Sequence, residues 1–209
     1  YIWTATDDYA VYNGISDQAE RVEKKLDLFA LKRKYIGTGL IYKTTIAQLI
    51  TDSHSTAGNG IGGKAKGIDG LCQPKNIYSM SELNGAMLDT NIIMALPRYS
   101  WDVYCVTHEI GHTLGSWHTQ SCCWPGGAID GCVESEHCWE LAHLDLCNTS
   151  TNIPSEGGTI MSYCHQGSIG VNFAKGFGPL PGALIRQKVC NAAGCLQTSW
   201  DCDPPTNVK

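Results

Sequence analysis

No apolar run in this 209-residue chain approaches the ~18–20 residues of a membrane-spanning helix, so the sequence contains no helical membrane span. Clustered positive charge is also missing. Fifteen Lys and Arg against twenty Asp and Glu leave a formal net charge of -5 without a basic run, which argues against a nucleic-acid binder. Charged residues make up only 17% against 43% hydrophobic, and that balance excludes a disordered chain. No GKS or GKT follows the glycine-rich stretch GNGIGGKAKGIDG, which speaks against a phosphate-binding loop. Internal repeats are absent, and so are paired CxxC units.

Cysteine is abundant. There are eleven, a burden in a reducing cytosol and a sign of an oxidising, extracytoplasmic compartment with several disulfides. Cys122 and Cys123 are adjacent, and Cys132, Cys138, Cys147 and Cys164 are irregularly scattered, so disulfide staples are expected rather than a zinc finger. The odd count leaves at least one thiol free, bonded to another chain, or bonded to a segment not present. The length suits one domain, possible as two lobes, with a full core. The chain starts at Tyr1 with neither a methionine nor a signal peptide, as a processed or trimmed fragment would.

Along the chain, YIWTATDD reads as a strand ending in a polar turn. Ser16 to Tyr35 turns helical, with Asp17 as N-cap and Val22, Leu26 and Phe29 on one face opposite the charges. A second amphipathic stretch, Thr44 to Thr51, carries Ile46, Ala47, Leu49 and Ile50. The glycine-rich stretch that follows suits an edge strand with close backbone approach. Ile92 to Leu96 is a short strand candidate. Trp101 to Gly115 reads as a helix with Val103, Val106, Ile110 and Leu114 facing a core, ended by Gly115 where the chain turns sharply. Thr119 to Gly158 is loop-like and cysteine-rich. Pro179 to Ala193 reads as a C-terminal helix with Pro181 near its start, and DCDPPTNVK resembles a linker stub.

The most informative string is HEIGHTLGSWH, residues 108 to 118. Residues four apart share a helix face, so His108 and His112 can present ring nitrogens to one metal ion. His118 supplies a third ligand once the chain turns at Gly115. Three protein ligands with one open position describe a catalytic zinc. Glu109 is placed to act as general base on a zinc-bound water rather than to bind the metal.

The extended motif HExxHxxGxxH, with Met161 in GTIMSYCH, resembles the metzincin clan of zinc endopeptidases. IAQLIT at 46 to 51, GIDGLC at 67 to 72, HEIGHTLGSWHT and TIMSYCH together resemble its reprolysin (adamalysin-like) group, in particular the bacterial relatives. The resemblance implies a mixed α/β (α+β) fold. A twisted mixed sheet and the zinc helix would form an upper lobe, above an irregular disulfide-rich lower lobe with a Met-turn at Met161 and the C-terminal helix. It implies one catalytic domain over residues 1 to 200 and a tail over 201 to 209. Gly62, Gly63, Lys64 and Ala65 would form the edge strand that pairs with substrate, and Cys72 would bond to Cys195. Tyr163, two residues after Met161, stands where related metzincins place a tyrosine that can touch zinc, and would either help stabilise the oxyanion or pack in the turn with its hydroxyl in water. A secreted endopeptidase acting on proteins or peptides is implied.

Three departures bear on this. Thr119 stands where reprolysins usually carry aspartate. The segment before the zinc helix is short, as if the first strand and long first helix were absent or on an associated or disulfide-linked partner fragment. An acidic residue that helps bind calcium in many reprolysins would fall near Thr45, which speaks against that calcium site. Two competing readings are a catalytically weak zinc-binding adhesion module, which would be expected to lack Glu109, and a hydrolase with Cys105 or Cys164 as nucleophile. His54, His137, His143 and His165 are expected to be surface or hydrogen-bonded histidines.

Overall fold

A computed structural model describes residues 10–12, 14–36, 45–52, 62–83, 100–138, 147–192 and 195–196. The expected strands at YIWTATDD and Ile92 to Leu96, the C-terminal tail, His54 and His143 lie outside them. The chain divides into two compact units, Tyr1–Met94 with Ser100–Thr113, and Ala95–Tyr99 with Leu114–Lys209.

The first unit is a mixed sheet with two helices. Helix α1 spans Gln18–Ile36, strands β1, β2 and β3 span Ala47–Asp52, Gly63–Ala65 and Tyr78–Leu83, and helix α2 spans Trp101–Thr113. The order β1-β3-β2 places β2 at one end of the described sheet. β1 runs parallel to β3 with Leu49 opposite Met80, and β2 runs antiparallel to it with Lys64 opposite Met80. The second amphipathic stretch is therefore strand β1, with Ala47 buried and Ile50 exposed. A 19-residue helix does precede the sheet in this polypeptide.

α1 starts where expected, because Asp17 Oδ1 accepts the Glu20 amide at 2.7 Å and satisfies an N-terminal donor. Val22 and Leu26 are buried against Met80, with Phe29, Leu49 and Tyr78 packed around them. The charges do not all lie opposite this face. Arg21 and Lys25 are buried at 5% and 1% exposure, because Glu82 on β3 reaches the same face. Lys25 Nζ lies 2.5 Å from Glu82 Oε1, and Arg21 Nη2 lies 3.0 Å from Oε2. Burial alone would raise the Glu82 carboxyl, but the two cations outweigh it and hold the carboxyl below the ordinary glutamate value. On the outer side, Lys64 pairs with Glu23, and Lys66 with Glu23 and Asp27, tying β2 to α1.

The second unit is mostly irregular. Its helix α3, Pro179–Asn191, opens with proline at the first position, where no amide is needed, after Gly178 at φ 81°. Short pairings, Ser121 with Glu136 and Gly158 with Val171, replace a sheet. Disulfides Cys122–Cys147, Cys123–Cys138 and Cys132–Cys164 staple the loops. Trp124, Met161, Val171 and Ile185 are buried with them.

Candidate metal centre and active site

α2 buries its polar side. Val103 is 47% exposed, and Val106, Ile110 and Leu114 are only half-buried, whereas Tyr104, Cys105, His108, Glu109, His112 and Thr113 are buried. The expected apolar core face is therefore corrected. The helix is held inward by the groups that carry chemistry, not by its aliphatic stripe. Tyr104, His108 and His112 follow one another at four-residue spacing, with ring centroids 5.2 and 4.8 Å apart. The last carbonyls of α2 are not left bare, since Asp69 N donates to His112 O at 3.0 Å and Leu71 N to Thr113 O at 2.9 Å. Gly115 then turns the chain at φ 103°, a conformation that side-chain-bearing residues rarely adopt.

His108, His112 and His118, all within one continuous stretch, each offer a nitrogen within 4.8 Å of the others. Three imidazoles converging in this way fit a zinc ion, whose borderline-soft character suits nitrogen donors. A second group, Asp130, Cys132 and Cys164, also converges. Its two sulfurs are bonded to one another, so it offers no thiolate.

Glu109 is 6% exposed. Burial pushes its carboxyl up to about 8, against hydrogen bonds from the amides of Ala65 and Gly63 that pull it down. The register explains these bonds. Gly62 O accepts from Glu82 N and Lys66 N donates to Tyr78 O, so the even residues of this segment face β3 and the amides of Gly63 and Ala65 point away from it. Gly63 is forced to be small, because a Cβ there would lie 2.0 Å from Met80 O and 2.6 Å from Glu109 Cγ. Of the expected substrate strand, Gly63 and Ala65 thus touch Glu109, while Lys64 turns to Glu23 of α1.

In the second unit, the Tyr163 ring lies 4.5 Å from that of His118 and 5.4 Å from that of His165. Met161 is fully buried, in a turn closed by Ser162 N donating to Thr159 O at 3.1 Å. Thr119 N donates to Met161 O at 3.0 Å, which ties that turn to the residue after His118. Thr119 is buried, and its hydroxyl also donates to Met161 O, at 3.4 Å. Trp117 packs edge-on against Trp124 at 5.2 Å, in line with a packing role. His137 is exposed, and His165 is held below the ordinary histidine value chiefly by burial.

Sequence reasoning missed Glu136. Its carboxylate lies 2.8 Å from Nδ1 of His118, and its only trace in the sequence is its place two residues before Cys138. The two cysteine-nucleophile candidates fail. Cys164 is in a disulfide, and Cys105, free and buried, has its thiol pushed up to about 12 by burial and by the negative charges of Glu109 and Asp102. Cys72, Cys190 and Cys195 are each disulfide-bonded. No helix among the described residues is long and apolar enough to cross a membrane.

No curated protein matches the chain. A reprolysin-type family model described as metallo-peptidase family M12 matches residues 6–173. With that span and the histidine cluster it contains, the chain belongs to metallo-peptidase family M12 as a reprolysin-like member.

Proposed function

We propose that the chain is a secreted zinc-dependent endopeptidase with a metzincin fold, hydrolysing peptide bonds of proteins. The observation that carries this is the convergence of His108, His112 and His118 beside a buried Glu109. His108, His112 and His118 would hold a zinc ion, which would supply Lewis-acid polarisation of the scissile carbonyl and a more acidic water. Glu109 takes a proton from the attacking water and returns it to the leaving amine. A carboxylate can accept that proton and, once protonated, donate it.

Tyr163, stacked on His118, donates a hydrogen bond to the developing oxyanion. The segment Gly62, Gly63, Lys64 and Ala65, at the end of the described sheet, borders an extended substrate, which pairs with the outward carbonyls of Gly63 and Ala65, since their amides serve Glu109. Met161 packs in the buried turn that Thr119 ties down and takes no part in the chemistry. The catalytic domain covers residues 1 to 200 with a tail beyond, and Cys72 bonds to Cys195, both of which are disulfide-bonded. Thr45 supplies no carboxylate for a calcium ion. The bonded cysteines support an oxidising, extracellular location.

The test is cleavage of casein or gelatin by the wild-type protein, by the chelated protein with and without added zinc, and by Glu109→Ala. Chelation should abolish cleavage and zinc should restore it. Glu109→Ala should lose at least about 100-fold in turnover. Equal cleavage by Glu109→Ala and wild type would refute the base assignment, and zinc binding without any cleavage would favour an adhesion module.

A further inference from the structure

We infer that Glu136 is a positioning residue that sets the tautomer and rotation of the third metal ligand, a role that rests on the metal-centre reading of His118. His108 and His112 are oriented by α2 itself. His118 lies beyond the Gly115 turn, outside any helix, so its ring needs another support. Glu136 Oε1 and Oε2 lie 2.9 and 2.8 Å from Nδ1 of His118. A carboxylate can only accept, so the contact is attractive when Nδ1 carries the hydrogen. With the hydrogen on Nδ1, a metal-binding lone pair would sit on Nε2.

Glu136 is itself held firmly. Gln120 Nε2 donates to Glu136 Oε1 at 2.8 Å, and Gln120 is fully buried. The backbones are joined as well, with Glu136 N donating to Gln120 O at 3.0 Å and Cys122 N to Glu136 O at 2.9 Å. The Cys123–Cys138 disulfide closes the segment that carries Glu136 back onto the one that carries Gln120. His118, Gln120 and Glu136 therefore form one braced unit, although the Glu136 side chain is 42% exposed. That exposure matters, since a side chain kept only for packing would be covered.

The test measures zinc affinity by competition with a chromogenic chelator, for wild type, Glu136→Ala, Glu136→Gln and His118→Ala, with thermal melting of each metal-free protein. Glu136→Ala should bind zinc about 10–100-fold more weakly, and its metal-free form should still melt cooperatively, at a lower Tm because the buried Gln120 amide loses its acceptor. Glu136→Gln, whose side-chain carbonyl still accepts from Nδ1, should recover much of that loss. Wild-type affinity in Glu136→Ala would overturn the role, and so would loss of cooperative melting in its metal-free form, or no recovery of affinity in Glu136→Gln. If wild type binds zinc no better than His118→Ala, the metal-centre reading fails and the positioning role falls with it. A tight wild-type site with an indifferent Glu136→Ala removes the positioning role alone.

Discussion

Gly63 leaves no room for a methyl group. The nearest obstacles are backbone, Met80 O at 2.0 Å, and the side chain of Glu109 at 2.6 Å. Gly63→Ala should therefore cost about 1–3 kcal/mol, as overpacking does, and should also lower turnover because Glu109 is displaced. Urea unfolding and casein cleavage check the two effects separately, and a variant as stable as wild type would contradict the close approach. Met161 should behave differently. Met161→Ala opens a cavity at a fully buried site and should cost about 2–5 kcal/mol, whereas Met161→Leu should stay under about 1.5 kcal/mol. Neither should change turnover per folded molecule, if Met161 only packs. Much of the site was legible because its residues sit in one string, and helix geometry converts spacing directly into direction. Glu136 was not legible. Its approach to His118 depends on which cysteine bonds to which, and spacing alone does not reveal connectivity.

α1 and β3 share a buried charge cluster that a hydrophobic-face reading does not anticipate. Leu26 and Val22 announced the inward face correctly, but Arg21 and Lys25 flank the same face and are drawn in by Glu82. Periodicity sees one helix at a time, and the counter-charge belongs to a strand far along the chain. Similarly, the aliphatic residues of α2 mark its half-exposed side, because its buried side is given to His108, Glu109 and His112. Glu82→Ala would leave two buried cations without their partner and should cost about 3–5 kcal/mol. Since the folded-state carboxyl lies below the ordinary glutamate value of 4.5, its ionised form stabilises the fold above that pH. The contribution is lost as pH falls through the lowered folded value. The acid-side fall in Tm should be shallower in Glu82→Gln than in wild type.

For the molecule as a whole, binding of a metal only to the folded state should raise Tm by mass action. Chelation should lower it and zinc should restore it. Glu109→Gln should show the same restoration without turnover, separating the holding of the ion from its use. The three bridges between Cys122 and Cys164 overlap in a particular way. Cys122–Cys147 encloses Cys123–Cys138, and Cys132–Cys164 crosses both. Every peptide bond from Cys122 to Cys164 is thus spanned by at least one sulfur link. A single nick anywhere in that stretch cannot release a fragment. Nicked and intact molecules should run together on a non-reducing gel and separate only once thiol is added, so a cut preparation can still behave as one chain.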